Sequence, residues 1–346
     1  MAQDMRISGA PQALRAAMMT TAILLLQIGA PFLLRAQGPG ARAMTARPTV
    51  GSGPYKAVME MDPSLPDHTI YRPDDLSALN QVRLPIVVWG NGACANAGDS
   101  FSSFLTDISS YGFLVVALGS IVHDTIGAPG QPGPPPIPAR PTGVTGNDPS
   151  APPRRLPPPA THPVQLIDAI KWAVAENQRS ESKYYKRLDE TKVAVMGQSC
   201  GGVQAIEVAA DPRVKTAVIW NSGLFPKPTD MGGGKTLSKD YLDKIHIPMA
   251  YISGDAQDVA FPNANDDFDR LTTIPVFRGY ERGVTHGGTY REPNGGEFSG
   301  VAVAWLSWQL KGDQNAALMF RGPNCGLCVD PKWVVRAKHL DDVKAK

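Results

Sequence analysis

Short apolar runs rich in Val and Ile alternate along this chain with segments whose apolar positions recur every three or four residues. The short runs predict strands over residues 55–61, 68–72, 84–89, 113–118, 192–196, 215–221, 248–253 and 275–279, because β-branched residues bounded by Gly, Pro, Asn and Asp favour extended backbone. The longer segments predict helices over 100–111, 163–177, 200–210, 264–271 and 298–311. In the second of these, Val164, Ile167, Ile170 and Val174 form one apolar stripe of the kind that packs on a sheet. Strands that are apolar along their whole length, separated by helices, imply an α/β fold. The expected form is a mostly parallel, eight-stranded sheet covered by helices on both faces, in one domain from about residue 44 onward.

Two segments break this rhythm. Residues 1–43 read as a cleavable export signal: Arg6 and Arg15 precede an apolar stretch over 16–34, and Ala41-Arg42-Ala43 offers a small-residue cleavage site. The stretch is also just long enough to anchor the chain in a bilayer, although Gln27, Gly29 and Pro31 interrupt it. The expected location is therefore the secreted or periplasmic space, with a membrane anchor as the second reading. Residues 127–163 are crowded with Pro and nearly free of large apolar side chains, which excludes a helix or a ladder strand. This insertion leaves the C-terminal end of the strand at 113–118, on the side where open α/β sheets bind ligands. Two readings stand for it, a lid or a solvated excursion that touches nothing.

Composition adds mostly exclusions. The 346-residue chain is 42% hydrophobic and 19% charged, with a formal net charge of +2, which suits a globular protein with a large core. Its basic residues are scattered, without the basic runs and interleaved aromatics that follow a phosphate backbone, so nucleic acid is not an expected partner. The four cysteines, Cys94, Cys200, Cys325 and Cys328, are an even number compatible with an oxidising compartment.

Candidate chemistry lies at the ends of the predicted strands. Gly197-Gln198-Ser199-Cys200-Gly201 fits G-x-S-x-G, with a strand leading in and a helix leading out. That strand–turn–helix context raises a Ser hydroxyl above the sheet at a helix N-terminus, where developing negative charge is stabilised. Acyl transfer at such a serine also needs two N–H donors for the oxyanion. One is expected from Cys200 and the other from the Gly-rich turn Trp89-Gly90-Asn91-Gly92-Ala93-Cys94, where it is assigned to Asn91. The same turn fails as a dinucleotide loop, because Ala95 stands where a third Gly is needed. An acid and a histidine should follow in that order. Asp255 and Asp258 both follow the strand at 248–253; Asp258, further out over the rim, is the expected acid and Asp255 a turn residue. His286 follows the last strand and is the expected base. His68, His123, His162, His246 and His339 lie in other contexts.

These residues give the chain a resemblance to the dienelactone-hydrolase-like branch of the α/β-hydrolases, which includes bacterial polyester hydrolases, cutinases and chlorophyllase-like esterases. The likeness begins at Gly53-Pro54-Tyr55, runs through 84–91, the helix before Leu188-Asp189, the Ser199 turn, Asp258 and His286, and ends over 305–313. In that family the acid follows a Gly by four positions and precedes a short run ending in Pro, as Gly254, Asp258 and Pro262 do here. The resemblance implies the α/β-hydrolase fold and hydrolysis of carboxylic esters, small or polymeric. Asn91 and Cys200 stand where polyester hydrolases of this branch carry an aromatic residue and usually Met, and the Pro-rich insertion is foreign to them, so the implied activity is ester hydrolysis as a class.

The expected mechanism is two-step acyl transfer, in which His286 takes the Ser199 proton, Asp258 orients the ring, and no metal or organic cofactor is required. Only neutral imidazole can act as base, so activity should rise as His286 loses its proton. An acyltransferase, a peptidase with the same triad and a catalytically silent binding protein are the alternatives. Cys94 and Cys200 flank the two expected oxyanion donors and could be disulfide-linked or remain free thiols. Cys325-Gly326-Leu327-Cys328 reads as a local staple in a C-terminal extension over 312–346, with no redox or zinc context. Gly234-Lys235-Thr236 cannot end a phosphate loop, because Thr229 occupies the required Gly position.

Overall fold

The computed structural model describes residues 47–49, 51–122, 158–230 and 236–343. Residues 1–43, expected to be an export signal, and most of the Pro-rich insertion lie outside these residues, as does the Gly-rich stretch before Thr236. The described residues all belong to one compact unit.

Strands β1 (Arg47–Thr49), β2 (Ala57–Asp62), β3 (Leu65–Pro73), β4 (Leu84–Gly90), β5 (Leu114–Leu118), β6 (Leu188–Gln198), β7 (Val214–Trp220), β10 (Met249–Gly254), β11 (Val276–Glu281) and β12 (Trp333–Lys338) form a single ten-stranded sheet. Its order is β1-β2-β3-β5-β4-β6-β7-β10-β11-β12. The six strands from β5 to β11 run parallel, and the outer strands pair antiparallel. A separate two-residue ribbon, β8 (Thr229–Asp230) with β9 (Thr236–Leu237), stands off the main sheet. The helices are α1 (Ser102–Ser110), α2 (Pro163–Gln178), α3 (Cys200–Val208), α4 (Phe261–Arg270), α5 (Gly296–Lys311), α6 (Gln314–Ala317) and α7 (Gly326–Val329).

Side chains alternate across the sheet, and both faces are covered. In β4, Ile86 and Val88 join a core with α2, α3 and α4, whereas Val87 and Trp89 join a second core with α1 and α5. This explains why the central strands read as unbroken apolar runs: no strand face there meets water. All eight expected strands and five expected helices are present, with ends shifted by a few residues.

The sheet is two strands wider than the eight expected, because β1 adds one edge and the C-terminal segment, which is not a mere extension, adds the other. Trp333 to Lys338 pair antiparallel with β11 and close one edge. Lys332, Arg336 and Lys338 dilute the apolar pattern of this edge strand. In the fold these cations have partners: Lys338 Nζ donates to the carbonyls of Phe268, Asp269 and Leu271 at 2.6, 3.1 and 3.1 Å. Those carbonyls belong to the C-terminal turn of α4, where a cation is favoured by the unpaired oxygens and the helix dipole. Among the described residues no helix is long and apolar enough to cross a membrane.

Candidate active site

The turn between β6 and α3 determines where Ser199 stands. Ser199 has φ 54° and ψ −116°, a conformation costing on the order of 1–3 kcal/mol that is tolerated only where the surroundings enforce it. The enforcement is steric. A methyl group on Gly197 would lie 2.2 Å from the Gly201 carbonyl oxygen, and one on Gly201 would lie 2.1 Å from that of Gly90. Two glycines thus let β6, the start of α3 and the end of β4 meet at backbone distance. Ser222 Oγ donates to the Ser199 carbonyl at 2.6 Å and fixes the turn from the β7 side.

Asp258 follows β10 and His286 follows β11, and both reach the same strand ends as Ser199. His286 Nε2 lies 2.9 Å from Ser199 Oγ, and His286 Nδ1 lies 2.7 Å from Asp258 Oδ1. The carboxylate is 1% exposed, while the His286 side chain is 33% exposed, so the chain of hydrogen bonds runs from the core to the surface. Burial pushes the Asp258 carboxyl up, but the bond and charge of His286, the Ala260 N–H at 2.9 Å and the Asn221 amide outweigh it and hold Asp258 below its ordinary value. Asp258 is therefore ionised at neutral pH and can hold the Nδ1–H tautomer that leaves Nε2 free to accept a proton. Asp255 is a turn residue: it accepts from the N–H groups of Gln257 at 3.0 Å and Gly283 at 2.8 Å.

Asn91 and Cys200 also meet. The Asn91 carbonyl accepts from Gly201 N–H at 3.0 Å, and a disulfide joins Cys94 to Cys200 with Cα atoms 5.2 Å apart. The Asn91 side chain is buried and acts as a clamp for its own turn. Its Oδ1 accepts from Trp89 Nε1 at 3.0 Å, and Nδ2 faces the carbonyls of Ala95, Ala97 and Leu118 at 3.0, 3.1 and 2.6 Å. Backbone, amide and disulfide together hold this turn against the N-terminus of α3. The described end of the Pro-rich insertion lies beside the same disulfide, with Ala160 and Thr161 N–H donating to the Cys94 carbonyl at 3.1 and 3.0 Å.

Three residues of the site had no role assigned from sequence. Gln198 Nε2 donates to the His286 carbonyl at 3.0 Å. Asn221, at the end of β7, donates from Nδ2 to Asp258 Oδ2 at 2.7 Å, and Tyr290 O–H donates to Asn221 Oδ1. An Asn closing a strand ahead of Ser-Gly was the one available hint; nothing in the sequence pointed to Tyr290, which arrives through packing of the loop after His286.

Two hollows of about 450 and about 400 Å³ lie elsewhere, one beside α1 and α5, the other beside α2 and α3; neither includes Ser199 or His286. The hydrogen-bond geometry is the stronger guide to chemistry, because a hollow without converging polar groups has no reacting partner. No group of three or more His, Cys, Asp or Glu among the described residues could hold a metal ion. No protein-family model matches the chain, and a search of curated proteins finds no significant similarity.

Proposed function

We propose that this protein is an exported serine hydrolase of the α/β-hydrolase fold that cleaves carboxylic esters through an acyl-enzyme. The observation that carries the reading is the unbroken chain Ser199 Oγ, His286 Nε2, His286 Nδ1, Asp258 Oδ1 with separations of 2.9 and 2.7 Å, on a serine held at positive φ. Supporting it are the parallel strands whose C-terminal ends carry all three residues in the order Ser, Asp, His.

In this mechanism His286 Nε2 takes the hydroxyl proton as Ser199 Oγ attacks the ester carbonyl carbon. The N–H groups of Cys200 and Asn91 receive the oxyanion. Collapse breaks the carbon–oxygen bond to the alcohol, which leaves with the proton from His286. Water, deprotonated by the same imidazole, then attacks the acyl-enzyme and releases the acid and free Ser199. Two disulfides suit an oxidising compartment, in keeping with the export signal read from residues 1–43.

The test is turnover of p-nitrophenyl esters from acetate to palmitate by the mature protein and by Ser199→Ala, together with labelling by a fluorophosphonate probe. We expect turnover by the wild type, a loss on the order of a millionfold in kcat in the variant, and covalent labelling at Ser199 alone. Failure of both turnover and labelling would overturn the reading in favour of a silent binding protein.

A further inference from the structure

The acid of the site has a second partner on the side away from the histidine. Asn221 is fully buried, and its Nδ2 lies 2.7 Å from Asp258 Oδ2 and 3.3 Å from the carbonyl of Thr285, the residue before His286. Its Oδ1 accepts from Tyr290, four residues beyond His286. Thus Asp258 touches His286 with one oxygen and Asn221 with the other. Asn221 in turn holds both flanks of the histidine loop.

The orientation of this amide is determined by its neighbours. Tyr290 is 1% exposed, and burial followed by the Asp258 charge raises its phenol well above the ordinary range, so it remains a donor. A phenol that donates requires the amide oxygen, which turns the NH₂ toward the carboxylate and the Thr285 carbonyl. Tyr290 itself is locked by rings: Phe104, Phe298 and Phe101 stand edge-on to it at centroid distances of 5.2, 5.3 and 5.1 Å. Asn221 also has φ +42°, a left-handed conformation in which Asn is several-fold enriched over other side-chain-bearing residues. One residue type therefore meets the demand of the turn and the demand of the carboxylate.

We propose that Asn221 and Tyr290 are positioning residues that hold the rotamer of Asp258, and through it the ring plane and tautomer of His286, making the site a five-residue hydrogen-bonded unit. This rests on the esterase reading for its kinetic consequences but not for its geometry. His286 and the Ala260 N–H both bond Asp258 at Oδ1, which leaves the carboxylate free to pivot about that oxygen; the Asn221 bond at Oδ2 removes that freedom. The Tyr290–Asn221 bond also connects the segment that carries the base to the segment beside the acid, so the two move together.

The test uses Tyr290→Phe, which removes one hydroxyl and leaves the ring packing, and Asn221→Gly, which keeps the left-handed tolerance of the turn and removes the amide. For Tyr290→Phe we expect kcat to fall about tenfold with KM nearly unchanged, as for loss of a single buried hydrogen bond felt in the transition state. For Asn221→Gly we expect kcat to fall about a hundredfold with KM nearly unchanged, because the bond to Asp258 Oδ2 and the link to Tyr290 are lost together. The low-field proton resonance of His286 Nδ1–H, followed by NMR, should shift or broaden in both variants. Unchanged kcat and resonance in folded variants would overturn the proposal. A wild type without esterase activity whose Nδ1–H resonance still responds to both substitutions would uphold the positioning network and discard the esterase reading instead.

Discussion

The disulfide Cys94–Cys200 should contribute more to this protein than its partner in the C-terminal segment, and the reason is loop length. Its two cysteines are 106 positions apart, whereas Cys325 and Cys328 are 3 apart. The chain-entropy relation for a cross-link gives about 4.8 kcal/mol for the first and about 2 kcal/mol for the second. Engineered and native cases often fall short of this relation, so about 3–5 kcal/mol is the working range for Cys94–Cys200. With an unfolding entropy of about 2.1 cal/mol/K per residue over roughly 300 residues, that range corresponds to a fall in Tm of about 5–8 °C. The perturbation is Cys94→Ala with Cys200→Ala, compared with Cys325→Ala plus Cys328→Ala, by calorimetry under non-reducing conditions. Cys94 is fully buried, so chemical reduction of the wild type should be slow until mild denaturant opens the turn. The same double variant should lower kcat more than it raises KM, since the bond joins the turn of Asn91 to the turn of Cys200 and not to a remote surface. A Tm shift no larger than that of the Cys325/Cys328 variant, or non-reduced peptides showing Cys94 and Cys200 unlinked, would refute the reasoning.

Two further predictions concern pH. Buried Glu60 accepts from Arg72 at 2.8 and 3.0 Å and from Tyr184 at 3.0 Å. Burial works against its charge, but Arg72 and Lys183 hold its carboxyl at about 2 against an ordinary 4.5. A depressed folded value stabilises the fold above the ordinary one, so up to about 3 kcal/mol is fully present at pH 7 and lost as pH falls from about 4.5 to about 2. Glu60→Gln should lower the urea midpoint at pH 7 about twice as much as at pH 3; an equal effect at both would refute this. Glu281 is the opposite case, pushed up to about 7 by burial and then by the negative charge of Glu297, with Glu292 and Asp330 adding to it and Lys332 opposing. Its unfolded form ionises first as pH rises, so the fold loses stability between about 4.5 and about 7. Glu281→Gln should be up to about 3 kcal/mol more stable than wild type at pH 8 and nearly equal at pH 4, as read by urea unfolding.

Features encoded by local period and local sterics could be read from the chain alone. Unbroken apolar strands and striped helices specified a covered parallel sheet, and Gly197 and Gly201 around Ser199 specified a turn that only close backbone approach explains. Asp258 and His286 were legible because each directly follows a strand, and parallel strands deliver their C-terminal ends to one rim. The edge strand β12 was not legible, since its cations resemble a solvated tail until α4 supplies the carbonyls that Lys338 binds and the Asp269 carboxylate that Arg336 binds. Nor could the sequence decide whether Cys94 and Cys200 are bonded, because that depends on two turns 106 positions apart meeting within disulfide reach. The same holds for Asn221 and Tyr290. Their partnership with Asp258 arises where β7, β10 and the loop after β11 converge, and convergence of three segments distant in the chain is a property of packing that no local pattern records.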